Sequence, residues 1–401
     1  MTTDSTADLS QRVATMSESA TLAVSAKAKE LRAAGEDVIG FGAGEPDFDT
    51  PDHVVEAAQA ACADPTLHRY SPAGGMPVLK QAIVDATAAH TGLEADPSEV
   101  VIANGGKHAL YNVFQALLDP GDAVLIPAPY WTSYPEQVAL AGGEPIAVPT
   151  TLDQGYKVTP EQLEAARTPR TKAVVFNSPN NPTGAVHSPA EIAAIGRWAA
   201  QAGLWVIADE IYEHLVYGDA EFASLPVVAP EAAPRTVVVS GVAKTFAMTG
   251  WRVGWTIAPA PLSKAMGTMQ SHATSNVANV SQKAALAALT GPMDQVTTMR
   301  ETYERRRHVA HEKLNAIAGI TCPLPEGAFY LYPSVEGLLG QTIGGRTVRT
   351  SGELCEALLE TAKVAMVPGE AFGAPGHMRI SYALDEQQMI TGLDRVAEVL
   401  G

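Results

Sequence analysis

The sequence predicts an α/β protein: a mostly parallel β-sheet covered by helices on both faces, with a smaller α+β domain beside it. Three observations carry this expectation. Short β-branched apolar runs alternate with longer amphipathic stretches through the middle of the chain, the pattern of strand–helix–strand crossovers. Each run is nearly continuously apolar, as strands buried on both faces must be. After about residue 291 the texture changes to a long polar-periodic helix and an α+β tail.

Taken in order, strands are expected at 100–103, 123–126, 173–176, 205–208, 236–239 and 252–257, with helices such as 107–118 and 189–202 between them. A long helix is expected over 293–318, then strands near 327–332 and 378–382. Within that helix Arg305, Arg306 and Arg307 read as a solvated face, with Glu301 and Glu304 as local partners. The expected division is 1–50 for an N-terminal arm and part of the small domain, 51–290 for the large domain and 291–401 for the small domain.

The 401 residues, 46% of them hydrophobic, suffice for one large core and a smaller one. A net charge of −17 argues against nucleic-acid or anionic-membrane partners. No apolar run approaches the roughly 18 residues of a membrane span, and residues 1–10 lack the basic start and apolar stretch of a signal peptide. The three cysteines, Cys62, Cys322 and Cys355, have neither disulfide nor metal-ligand spacing, which fits a reduced, cytoplasmic setting. His308 and His311 share a helix face only loosely, and no metal site is expected.

Ligands of such sheets bind beyond the carboxyl ends of the strands, and polar, Gly-rich and charged residues gather there. Asn104-Gly105-Gly106-Lys107 opens a helix after a strand, so its free N–H groups and dipole form a ready phosphate cradle. The spacing is not that of a Walker loop. Trp131 offers a flat face for stacking, or equally a core aromatic. Asn177 to Gly184 is a turn with a candidate cis bond at Asn181–Pro182. Asp209 ends a strand and suits a pyridinium partner; a helix N-cap is the plainer alternative. Lys244 follows a strand, where desolvation and neighbouring cations can make a Schiff-base-forming amine. Arg252, eight residues on, has a guanidinium fork suited to two phosphate oxygens. Taken singly, each of these reads as an ordinary loop, cap or core residue.

Together the pieces resemble the fold-type-I aminotransferases of classes I and II over nearly the whole chain. The series is Tyr70, Gly105-Gly106-Lys107, Trp131, Asn181, Asp209, Tyr212, Lys244, Arg252 and Arg379. The resemblance implies a seven-stranded-type large domain binding pyridoxal 5'-phosphate. Lys244 would hold the cofactor covalently and shuttle the substrate proton. Asp209 would pair with the ring nitrogen, Asn181 and Tyr212 with the phenolic oxygen, and Trp131 would stack on the ring. Gly105, Gly106, Lys107 and Arg252 would surround the phosphate, joined by Tyr70 from the neighbouring subunit of a homodimer. Arg379 would clamp the substrate α-carboxylate, with the Gly44 backbone beside it.

Within the family the chain is similar to bacterial aspartate aminotransferases that read the distal carboxylate with a lysine, here Lys107. Ser19 and Thr21, in Glu18-Ser19-Ala20-Thr21, match the segment that closes over the acidic side chain. The implied reaction is transfer of an amino group from L-aspartate to 2-oxoglutarate. Transamination of aromatic substrates or prephenate, or a lyase reaction on the same fold, is the alternative. Two departures stand out. Ala243 precedes the lysine where many relatives have Ser, with Ser240 four positions before Lys244. Ser17-Glu18 stands where prephenate-accepting relatives tend to carry Lys-Pro.

Overall fold

A computed structural model describes residues 10–14, 16–17 and 20–401. Its centre is a seven-stranded sheet: β1 (Val100–Ala103), β2 (Ala123–Ala128), β3 (Glu144–Pro149), β4 (Thr171–Asn177), β5 (Trp205–Asp209), β6 (Thr236–Gly241) and β7 (Gly254–Ile257). Their order across the sheet is β1-β7-β6-β5-β4-β2-β3. All neighbouring pairs are parallel except those made by β7, which runs antiparallel to β1 and β6.

Alternate residues of each strand enter different cores, because successive side chains of a strand point to opposite faces. Val100 and Ile102 pack with Leu79, Ile83 and Ala285 on one face. Val101 and Ala103 pack with Leu110, Val113 and Phe114 on the other. In β4, Ala173 and Val175 join this second cluster, whereas Val174 and Phe176 meet Ile192 and Ile195. Burial of each such aliphatic side chain stabilises the fold by roughly 1.5–3 kcal/mol. The helix Pro189–Ala202 shows how local chemistry sets an element's ends. Ser188 and Glu191 form a reciprocal capping box, Pro189 takes the first turn, and Gly203 closes the helix at φ +70°.

Two boundaries differ from the sequence expectation. Strand β3 lies outside every expected run. It occupies the sheet edge, is mostly exposed and carries Pro145 and Pro149, so it has neither the apolar continuity nor the donors of an inner strand. Strand β7 starts at Gly254 instead of residue 252, because Arg252 adopts a left-handed conformation at φ +56°.

Beside the sheet, Tyr330–Leu331, Met378–Ser381 and Val367–Pro368 form an antiparallel three-stranded sheet. Ile39–Gly40 pairs in parallel with Val364–Ala365, which ties the early segment to the late one. The helix Asp294–Asn315 packs here, and it corrects the reading of the arginine triplet. Arg305 is exposed and faces Glu386 at 3.3 Å. Arg306 and Arg307, by contrast, are 7% and 4% exposed. Arg306 donates to Asp47 at 2.9 Å, and Arg307 donates to the Pro325 carbonyl at 2.8 Å. Successive helix residues are turned by about 100°, so three adjacent charges cannot all lie on one wet face.

Candidate active site

The carboxyl ends of β1, β2, β4, β5 and β6 deliver most of the expected residues to one cavity of about 570 Å³. Gly106 and Lys107 follow β1, Trp131 follows β2, Asn181 follows β4, Asp209 ends β5 with Tyr212 after it, and Lys244 follows β6; all line it, as do Arg252, Arg379, Gly44 and Thr21. Gly105 adjoins it as the N-cap of the helix Gly106–Leu117. Tyr70 lies outside the lining and is 92% exposed. Ser19, and Glu18 before it, lie outside the described residues.

Lys244 donates from Nζ to the Gly44 carbonyl at 2.5 Å. Burial pulls its ammonium down to about 8, against the carboxylate of Glu45, while Arg379 and Arg252 push the same way as burial. Asp209 is almost wholly buried, and that burial pushes its carboxyl up to about 6. Opposing this, Tyr134 donates to Oδ2 at 2.7 Å and the Ile211 N–H donates to Oδ1 at 3.2 Å. The carboxylate thus closes a tight turn instead of capping a helix, while its chain carbonyl accepts from Asn177 at 2.8 Å.

The phosphate-cradle expectation can be tested against the backbone. Gly105 has φ +83°, and a Cβ there would lie 2.5 Å from Arg252 Nη2. Only glycine leaves the guanidinium its place over the helix start. Arg252 is pinned by donation to the carbonyls of Thr249 at 2.8 Å and Asn104 at 3.2 Å. From the strand below, a Cβ on Gly254 would reach the Gly106 nitrogen at 2.4 Å. Lys107 places Nζ 5.0 Å from the centroid of the Trp131 ring. Burial lowers its pKa, and the Arg252 charge adds to the effect.

Arg379 is 1% exposed. It donates to Asn181 Oδ1 at 3.1 Å and to the Gly42 carbonyl at 2.8 Å, between the rings of Tyr330 and Phe372. Its Nε is buried without a partner, and among the described residues no carboxylate forms an ion pair with it. The Arg379 contact occupies Asn181 Oδ1 and leaves the amide NH2 as donor. The Asn181–Pro182 bond is cis, as are Ala128–Pro129 and Ser178–Pro179. Ser240, the alternative hydroxyl near the lysine, donates to Glu213 at 2.7 Å.

Tyr134 was missed by the sequence reading, whereas the run Gly327-Ala328-Phe329-Tyr330 lines the substrate pocket by the family resemblance or equally reads as a core strand. Tyr212 and Tyr330 share a hydrogen bond of 2.9 Å. A signal for Tyr134 existed, since it lies three residues after Trp131 at the start of the helix Ser133–Leu140, but a single aromatic in a first helical turn does not reveal what its hydroxyl meets. Glu45, which accepts from Thr249 at 2.9 Å, was likewise not singled out. Away from the cavity, His90, Glu213 and His214 come within 4.8 Å of one another. The two imidazoles stack nearly face to face at 3.8 Å, so their in-plane lone pairs do not converge on one ion.

The chain belongs to the family Aminotransferase class I and II, which matches residues 36–396. It is an aminotransferase. The chain is 59% identical to an aspartate aminotransferase of Streptomyces avermitilis, over 98% of this chain and 96% of that one. It is 47% identical to an aspartate/prephenate aminotransferase of Cereibacter sphaeroides, over 97% of each. The structure of an aspartate aminotransferase from Thermus thermophilus with maleate superimposes at a TM-score of 0.91, with 44% identity over 98% and 99% of the two chains.

Proposed function

We propose that this aminotransferase moves the amino group of L-aspartate to 2-oxoglutarate, giving oxaloacetate and L-glutamate, with pyridoxal 5'-phosphate as cofactor in a cytoplasmic homodimer. The observation that carries the substrate class is a pair of cationic positions on one cavity: Arg379, buried without an acidic partner among the described residues, and Lys107. Two such charges suit a substrate with two carboxylates, and the names of the relatives agree with that choice.

The residues fit the cofactor. Arg252 and the N–H groups of Gly106 and Lys107 offer donors for a phosphate, in a cradle that a Cβ at Gly105 would fill. Asp209 has a buried carboxylate for which a ring N–H would be the missing cation, and Asn181 and Tyr212 offer donors for the phenolic oxygen. Trp131 presents a ring face beside it, and Tyr70 of a second subunit would complete the phosphate site. When bound, the pyridoxal ring withdraws electrons from the substrate Cα.

The chain's own residues do the rest. Arg379 orients the substrate by its α-carboxylate, with a fork matched to two oxygens. Lys107 draws the distal carboxylate, and Thr21 with Ser19 would cover it. Lys244 Nζ takes the proton from Cα, and its depressed basicity leaves a usable neutral fraction near neutrality. Residues 51–290 would form the cofactor-binding domain, and 1–50 with 291–401 the smaller domain and arm that exclude water.

The test is the visible spectrum of purified protein before and after L-aspartate is added without an oxo acid. The cofactor band is expected to move to the shorter wavelength of the amine form. A band that ignores aspartate and responds to another amino acid keeps the class and overturns the substrate. Prephenate acceptance is the second reading, favoured by the relative from Cereibacter sphaeroides; a panel of oxo acids separates the two.

A further inference from the structure

Tyr330 has been given no role so far, yet it touches three components of the site. Its side chain is fully buried and lines the cavity. Its hydroxyl lies 2.9 Å from the Tyr212 hydroxyl, and its ring carries the Arg379 guanidinium 4.6 Å from the centroid. A Cβ on Gly44 would stand 3.2 Å from the same hydroxyl, so the Gly44 position also abuts it. The strand register holds Tyr330 there: Ser381 pairs with Tyr330 and Ile380 with Leu331, next to Arg379.

A tyrosine hydroxyl has one proton to donate. If Tyr212 spends that proton on an anionic oxygen in the cavity, the 2.9 Å contact requires Tyr330 to donate to the Tyr212 oxygen. A donor behind a donor polarises the second hydrogen bond and strengthens it. The ring does separate work, because a guanidinium on an aromatic face is held in plane and in place.

We infer that Tyr330 is a positioning residue with two separable roles: its hydroxyl drives Tyr212 to donate to the cofactor's phenolic oxygen, and its ring seats Arg379 for the substrate α-carboxylate. This rests on the proposed pyridoxal-phosphate reading. Tyr330→Phe keeps the ring and removes the donor. Tyr330→Leu removes both.

The decisive measurement is the pH midpoint of the visible cofactor band, with cofactor affinity and maleate affinity by calorimetry beside it. Tyr330→Phe is expected to raise the midpoint by a few tenths to about one pH unit, since the ionised oxygen loses support, and to weaken cofactor binding roughly 2- to 10-fold. Maleate binding should stay within about twofold of wild type. In a Tyr212→Phe background the same substitution should leave the midpoint still, because the hydroxyl it acts through is gone. Tyr330→Leu should also weaken maleate binding. An unmoved midpoint in Tyr330→Phe, or a shift that persists without the Tyr212 hydroxyl, overturns the inference and leaves the cofactor assignment intact. Wild-type protein with no cofactor band after addition of pyridoxal phosphate overturns both.

Discussion

At the scale of single residues, the role proposed for Lys244 requires a side chain that is a cation at rest and a neutral amine when it reacts. The cavity arranges this by depriving the ammonium of water while leaving one acceptor, the Gly44 carbonyl. Only the neutral amine has a lone pair, so reactivity follows the deprotonated fraction. In cofactor-free protein, labelling of Lys244 by an amine-directed reagent should therefore rise with pH around a midpoint of about 8, not near the ordinary lysine value of roughly 10.4. Peptide mapping across a pH series checks this; a midpoint near 10 would contradict the electrostatic account. Lys244 and Asp209 were legible as charged residues at strand ends only in company with the other motifs, and Arg379 only through the family resemblance. Tyr134 was not, because a buried tyrosine in a chain looks the same whether its hydroxyl faces a core carbonyl or Asp209.

At the scale of elements, the proposed phosphate cradle rests on a contact between a helix start and a strand. Gly254 of β7 and Gly105-Gly106 meet backbone to backbone, with no room for a methyl group. Gly254→Ala should push the helix start off the strand, costing about 1–3 kcal/mol by overpacking and weakening cofactor binding. A lower urea midpoint together with a higher dissociation constant for pyridoxal phosphate is the expected pair of results. Wild-type values for both would show that the contact yields easily. The elements that escaped the sequence reading share one cause. Strand β3 is an edge strand held by its partner, not by its own apolar run. The burial of Arg306 depends on Asp47, 259 positions away in the chain.

At the scale of the whole molecule, Tyr70 is the residue a single chain leaves unexplained: a large aromatic, 92% exposed. If it completes the site of a second copy, defects in different subunits should complement. A dimer of one Lys244→Ala chain and one Tyr70→Ala chain would contain one intact site, because each good lysine then meets a good tyrosine from its partner. An equimolar mixture of the two variants, allowed to exchange subunits, should therefore recover roughly a quarter of wild-type activity, about half of its dimers being hybrids with one of two sites intact. No recovery in a mixture shown to contain hybrid dimers would mean that Tyr70 acts within its own chain. Among the described residues no helix is long and apolar enough to cross a membrane, which agrees with the absence of apolar runs in the sequence.

By itself the sequence determined the α/β class, the parallel strands and the positions of the chemistry-bearing residues. The class and the strands are local properties, apolar continuity and helical period; the chemistry-bearing residues were picked out by charge at strand ends together with resemblance to a family series. Only the tertiary structure decided which of those residues converge on one cavity, which arginines are buried, and which tyrosines hold Asp209, Tyr212 and Arg379. Those outcomes depend on contacts between segments up to 337 positions apart, as Arg379 and Gly42 are. A hydrogen bond or a desolvated charge has its energy in the space around it, and that space exists only once the chain has closed.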